Sequence, residues 1–301
     1  MLPLLFWFGL GSLARGLAIV VLFIVSTTGW LKDYVSTNRP KSPPIVRLSF
    51  NSLHELEYGF PSTHSAYAIG CAIYLTIVNL LNNPTFSYYS IFLLFVWFLA
   101  FSVLFGRIYC GMHSPIDVYG GITVGALVSI PLALFYNELE VYVYTTFNGL
   151  LICSLITFII FYYHPTFADK CLCYQDTFSA LSVIGGIIYG SFLFSINRPI
   201  SEKYSDRVYF NYHEFGLAKT LIRLVFGLVV IATSKLISSK IFYNLISKLK
   251  MRPKNPDSFN LLFGNSQVIY SPKNISRIPV YFGIGFTVVY IVPWLFYFFN
   301  L

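Results

Sequence analysis

The sequence predicts an all-α, polytopic transmembrane bundle of about eight spanning helices, and three observations predict it. Of 301 residues, 56% are hydrophobic and only 11% charged, against about 25% charged in soluble domains. Mean hydropathy is +0.68. Apolar runs of roughly the 20 residues needed to cross hydrocarbon recur along the chain. Aromatics, 19% of the residues, gather near the ends of those runs, as they do at membrane interfaces. A soluble core does not account for so many long apolar runs.

The spans expected are 15–31, 65–82, 88–106, 115–136, 146–163, 178–196, 217–237 and 279–299. Each satisfies its own backbone hydrogen bonds, which lipid requires. Residues 2–9 are apolar but too short to span, and read as the tail of an earlier helix in a longer natural form. Arg15 follows, and an arginine in mid-membrane is costly, so it is expected near an interface at the start of the first full helix. The mixed stretch 238–250 reads as an interfacial extension, and 251–277 as a polar loop rich in Pro, Asn and Ser. No soluble domain, repeat or low-complexity tail interrupts the chain, so 1–301 is taken as one integral membrane domain with a motif core at 32–117.

The net charge of +8 suits anionic headgroups and an anionic substrate rather than nucleic acid. The five cysteines, Cys71, Cys110, Cys153, Cys171 and Cys173, include no CxxC pair and no zinc spacing. A bridge between Cys171 and Cys173 is not expected, because it needs a strained turn. No paired-carboxylate cluster appears, so neither a metal nor a cofactor is expected.

Three polar blocks stand at the ends of apolar segments: Lys32 to Pro40 (KDYVSTNRP), Pro61 to Ser65 (PSTHS) and Arg107 to Asp117 (RIYCGMHSPID). Counting helices brings all three to one membrane face. The first helix ends just before Lys32, the second starts at His64, the third ends at Arg107 and the fourth begins after His113. A miscount by one helix would scatter them to opposite faces. Lys32, Arg39 and Arg107 are the residue types that hold a phosphate monoester and its transition-state charge. As lone helix-end charges they would only be anchors. His113 and Asp117 lie four apart and share a face if helical. A carboxylate on one imidazole nitrogen fixes the tautomer and makes the other a better nucleophile or base. His64 follows Ser62 and Thr63 at a helix start, where free N–H groups favour phosphate. Two histidines allow a two-step scheme, one as nucleophile and one as acid for the leaving oxygen. His54, His164 and His213 read as loop residues, Glu138 and Glu140 as solvated, and Asp33 as a partner for a helix-end base.

These blocks resemble the phosphatidic acid phosphatase type 2 superfamily, whose pattern is K-x6-RP, PSGH and SR-x5-H-x3-D. Lys32 and Arg39-Pro40 carry the first spacing. Pro61 to His64 carry the second, with Thr63 in place of glycine. Arg107, His113 and Asp117 carry the third, with Gly106 in place of serine. A finer resemblance, over nearly the whole chain beyond about residue 15, is to fungal long-chain base phosphate phosphatases. It rests on Lys32 to Pro44, Glu57 to Ser65, Arg107 to Asp117, His164-Pro165-Thr166 and Cys173 to Asp176. The resemblance implies that His113 forms a phosphohistidine, Asp117 orients it and His64 protonates the leaving alkoxide. Lys32, Arg39 and Arg107 would hold the phosphoryl oxygens, with Ser62, Thr63 and the local backbone assisting.

It also implies a multi-pass endoplasmic reticulum protein with a lumenal site, acting on a lipid phosphate at the membrane. The basic residues from Lys248 to Arg277 point the other way, since positive charge favours the cytoplasmic side. A phosphatase or phosphotransferase for phosphatidic acid or an isoprenoid phosphate is the alternative within the superfamily. A non-catalytic lipid-binding or transport protein is the alternative outside it, and the intact set of charged residues argues against that. Oligomeric state leaves no mark in the sequence.

Overall fold

A computed structural model of the chain describes residues 2–42, 45–48, 57–82, 88–165, 173–197, 208, 210–248 and 272–301. Every regular element among them is helical. Seven helices are long and apolar enough to cross a membrane, or up to eight if one bent pair counts as a span. The polytopic helical bundle expected from composition is therefore what forms.

The chain divides into two compact units. One comprises 1–18, 137–163 and 178–301; the other comprises 19–136 and 164–177. The second contains most of α2 (Gly11–Val35), then α3 (Thr63–Asn82), α4 (Tyr88–Tyr109) and α5 (Pro115–Leu134). The first helix runs past the expected end at 31. Lys32 and Asp33 thus lie in its last turn, not beyond it. No breaker intervenes before Ser36, whose positive φ of 51° stops the helix. The hydroxyls of Ser26, Thr27 and Thr28 donate to carbonyls one turn earlier, as polar groups in lipid must.

The contact that builds this unit is α5 on α3. A Cβ at Gly121 would stand 2.5 Å from the Ser62 carbonyl oxygen, and one at Gly125 would stand 2.4 Å from that of Ala66. Backbone therefore meets backbone, as small residues permit between membrane helices. Helix α4 joins through Ala100 and Leu104, which pack with Ile69, Ala72 and Val118. Trp97 Nε1 donates to Thr76 Oγ1 at 3.1 Å. The other face of α4 is bare apolar surface, with only 11% of its span buried.

In the other unit, α1 (Leu2–Trp7) buries Trp7, whose indole N–H donates to the Val288 carbonyl at 3.2 Å. Arg15 is 4% exposed. Its guanidinium is ion-paired with Glu140, which also accepts from Arg15 Nε at 2.8 Å. Arg15 stands at the start of the first full helix as expected, while Glu140 is ion-paired rather than solvated. Each offsets the desolvation of the other. The expected span 146–163 is shorter than hydrocarbon demands: α7 (Phe147–Tyr162) follows α6 (Tyr136–Thr145) across a 96° bend. Thr146 caps α7 by accepting from Gly149 N. Helix α8 (Cys173–Ile196) and α9 (Tyr212–Lys248), the latter broken near its start at Gly216 with φ of 66°, follow. Helix α9 runs on through the expected interfacial extension. Within the last span, Arg277–Phe286 and Val292–Phe298 flank a π segment, Thr287–Ile291. Pro293, which cannot donate a backbone bond, lies at the start of the final helix. Of the expected polar loop, 251–271 lies outside the described residues, and Pro272–Ile275 is a short helix.

Candidate active site

All eight residues singled out from the sequence lie in the second unit. They come from the end of α2 and the segment after it, the start of α3 and the residue before it, the end of α4, and the start of α5 and the turn before it. Two backbone bonds stitch these ends together: Gly59 N to Thr37 O at 2.8 Å and Ser62 N to Asp117 O at 2.9 Å. The second ties the His64 turn directly to the helix that carries Asp117.

Ser62 is the residue before α3, and its carbonyl accepts from Ala66 N at 3.0 Å. Its hydroxyl accepts from Ser65 Oγ at 3.0 Å. Its N–H is thus committed to structure, while its hydroxyl keeps its own proton to donate. Thr63 and His64 open the helix, where N–H groups have no intrahelical acceptor. His64 lies in electrostatic range of Arg107, Lys32, His113 and Glu57. The three motifs therefore converge.

His113 precedes α5, so it does not share a helical face with Asp117 as the spacing suggested. A capping box brings the two together. Asp117 N donates to Ser114 Oγ at 3.2 Å, and Asp117 Oδ2 accepts from Ser114 N at 2.7 Å. That same Oδ2 lies 3.7 Å from His113 Nδ1, an ion-pair distance and longer than a hydrogen bond. His113 N and Met112 N both point at the Arg107 carbonyl, at 3.3 and 3.2 Å. Gly111 makes the hook possible with φ of +63°, and a Cβ there would stand 2.7 Å from the Val46 carbonyl oxygen. His113 is 4% exposed. Burial pushes its pKa below the ordinary histidine value, aided by Arg39 and Lys32 and opposed by Asp117. The imidazole is thus neutral, with a usable lone pair, at neutral pH.

Of the three cations, two share one carboxylate. Glu57 Oε2 lies 3.4 Å from Lys32 Nζ and 3.1 Å from Arg39 Nη2. Arg39 also donates from Nε to the Glu57 carbonyl at 3.0 Å and from Nη1 to the Met112 carbonyl at 3.1 Å. Arg107 makes no ion pair or side-chain hydrogen bond among the described residues, and its Nε is a buried donor without an acceptor. That open donor faces the need an oxyanion would meet. Nothing within 4 Å would obstruct a Cβ at Gly106, so no packing constraint explains glycine there. No group of three or more His, Cys, Asp or Glu among the described residues is placed to hold a metal ion.

Sequence reasoning missed two residues. Glu57 stands inside a quoted run, but its tie to Lys32 and Arg39 bridges 25 and 18 residues, so no local spacing reveals it. His164 is no loop residue without a match. It is buried, its Nδ1 donates to the Pro165 carbonyl at 3.1 Å and its Nε2 lies 4.0 Å from Asp33 Oδ2. Asp33 therefore faces a histidine and also lies in electrostatic range of the helix-end base Lys32. Burial brings the His164 pKa down to about 4. An unfolded histidine takes up its proton near 6.5 and the folded one only near 4. The contribution of His164 to stability should therefore fall as the pH drops through that window, by roughly 3 kcal/mol in total. Thermal unfolding in detergent at pH 7 and pH 5 should show a smaller acid loss for His164→Gln than for the parent. Equal losses would show that His164 does not set the acid slope.

Cys173 is disulfide-bonded, whereas Cys71, Cys110 and Cys153 are free. The bridge at Cys173 departs from expectation; Cys171 itself lies outside the described residues. Cys173 is buried against Tyr58, the neighbour of Glu57.

The PAP2 superfamily profile matches residues 11–140. The chain is 30% identical to a dihydrosphingosine 1-phosphate phosphatase of Schizosaccharomyces pombe, over 97% of this chain and 78% of that protein. It is 28% identical to a dihydrosphingosine 1-phosphate phosphatase of Saccharomyces cerevisiae, over all of this chain and 76% of the relative. With human sphingosine-1-phosphate phosphatase 2 it shares 34% identity over 43% of this chain and 31% of the relative. No solved structure matches. The resemblance carried by the three polar blocks thus holds for the chain as a whole, which belongs to the PAP2 superfamily of phosphatases.

Proposed function

We propose that the protein hydrolyses long-chain base 1-phosphates, such as sphingosine, dihydrosphingosine and phytosphingosine 1-phosphate, to the free base and phosphate. The observation that carries this reading is the gathering of Lys32, Arg39 and Arg107 around a buried, neutral His113 at one end of a membrane-spanning unit. The names of the relatives support the substrate class.

The three cations hold the phosphoryl oxygens and take up charge in the transition state. His113 faces Asp117 with Nδ1, so Nε2 is the nitrogen that attacks phosphorus. The P–O bond to the lipid breaks, and His64, which takes up a proton as the phosphate dianion arrives, gives that proton to the departing alkoxide. Asp117 stabilises the positive charge on the phosphorylated imidazole. His64, now a base, takes a proton from water, whose oxygen attacks phosphorus and breaks the P–N bond. Phosphate leaves, and both histidines return to their starting states. No step calls for a metal.

The same reading places the protein in the endoplasmic reticulum membrane with its site facing the lumen. The disulfide at Cys173 supports that orientation, since its end of α8 packs beside the Glu57 segment and disulfides persist in oxidising compartments. The basic residues from Lys248 to Arg277 act against it. Cytosolic labelling of Lys41→Cys by an impermeant maleimide on sealed microsomes would overturn it.

The test of function is phosphate release by the purified protein in detergent, without added metal. Dihydrosphingosine 1-phosphate, phosphatidic acid and an isoprenoid phosphate are the substrates to compare. Preferential release from the long-chain base substrate is expected. Preference for another lipid keeps the chemistry and discards the substrate class. No release from a folded preparation discards both.

A further inference from the structure

We infer that Glu57 is the receptor for the substrate's ammonium group and therefore the residue that separates long-chain base phosphates from other lipid phosphates. This rests on the proposed function and names a specificity determinant within it.

The inference starts from where the carboxylate lies. It bridges Lys32 and Arg39, two of the three cations assigned to phosphate. An acid there opposes the binding of a phosphate dianion. In a site built only to hold phosphate, the position calls for a neutral group or another cation. A long-chain base 1-phosphate differs from other lipid phosphates in having a protonated amine on the carbon next to the esterified one. A carboxylate beside the cations assigned to phosphate matches that pattern of charge.

Exposure and tethering agree with it. The Glu57 side chain is 24% exposed, against 6% for Lys32 and 5% for Arg39. Glu57 is thus the most solvent-accessible member of the three. Its backbone is fixed, because the Glu57 carbonyl accepts from Arg39 Nε and Gly59 N donates to Thr37 O. The carboxylate is thus the part that can swing. Without substrate it neutralises two buried cations. When phosphate arrives, the phosphoryl oxygens replace it on Lys32 and Arg39, and the carboxylate turns to the ammonium. A lipid phosphate without the amine also displaces it but leaves two like charges side by side unneutralised.

The test compares dihydrosphingosine 1-phosphate with its 2-deamino analogue in the full-length protein. The parent should favour the amine-bearing substrate in kcat/KM. In Glu57→Gln that preference should fall roughly 10- to 100-fold, the size of one charge-assisted contact. Turnover of the deamino analogue should rise, because the competing carboxylate is gone. Glu57→Asp, which keeps the charge, should restore most of the preference. If Glu57 only positions the cations, Glu57→Gln slows both substrates equally, and the inference fails. If the parent prefers the amine and Glu57→Gln keeps that preference, the inference fails while the proposed function stands. If the parent releases phosphate from neither, the proposed function itself fails.

Discussion

Replacing His113 with alanine should lower phosphate release by at least about a thousandfold, with little change in folding. Removing the attacking nitrogen leaves only the cations, and nucleophile deletions in enzymes cost on this scale or more. The loss should fall on kcat rather than KM, since Lys32, Arg39 and Arg107 still hold the phosphate. His113 is buried with its Nδ1 unbonded, so alanine breaks no hydrogen bond. Thermal unfolding monitored beside steady-state kinetics separates the two effects. Acid-quenched protein incubated with labelled substrate should retain acid-labile phosphate in the parent and none in His113→Ala. A variant that keeps a tenth of the parent's rate would remove His113 from the nucleophile's role.

The second large effect is expected at two residues that carry no charge. Gly121→Ala places a methyl 2.5 Å from the carbonyl oxygen of Ser62, just before α3, and Gly125→Ala places one 2.4 Å from that of Ala66 within it. The obstacle is backbone, so no flexible side chain can yield. Helix α5 must shift outward by a good part of an ångström. Overpacking of this kind costs about 1–3 kcal/mol. The cost to chemistry should be larger, because α5 carries Asp117 and follows His113 while α3 carries His64. Misplacing reacting groups by about 1 Å can lower a rate roughly 100-fold. Gly283→Ala, whose methyl would meet nothing within 4 Å, is the control and should match the parent. If Gly121→Ala retains full kcat, the two helices do not fix the spacing of the histidines.

Much of this site was legible in the chain. Helix counting placed Lys32, Arg39, His64, Arg107, His113 and Asp117 at one face, and the ends of α2 through α5 do gather. That inference is robust because hydropathy measures each helix's fit to lipid, and an error of a few residues does not change the side. The same property made the ends imprecise. Lys32 and Arg107 fell outside their expected spans, yet both lie in the last turns of helices, because a helix continues after hydrocarbon ends. The His113–Asp117 approach was foreseen for a different reason from the one that holds. A four-residue spacing suggested a shared face, whereas Ser114 builds a capping box. The unseen pairs are all long-range: Glu57 with Lys32 and Arg39, His164 with Asp33, Glu140 with Arg15. A carboxylate that finds its cation through tertiary folding leaves no periodicity behind. Helix α6 and its bend into α7 were hidden because Asn137, Glu138 and Glu140 lower the hydropathy of that stretch, so no helix was expected between the spans 115–136 and 146–163.

Helix α4 rests on lipid over most of its surface and has Arg107 in its last turn. The carbonyl of Arg107 in turn holds the amides of Met112 and His113. The angle of this helix is therefore set partly by hydrophobic mismatch, since a span longer than the hydrocarbon is thick tilts to stay covered. Tilting α4 swings one phosphate-binding cation and strains the hook behind His113 together. Bilayer thickness thus becomes a variable of catalysis. Reconstitution in phosphatidylcholines of increasing acyl length should give a rate optimum, whereas a flat profile would show that protein contacts alone hold α4.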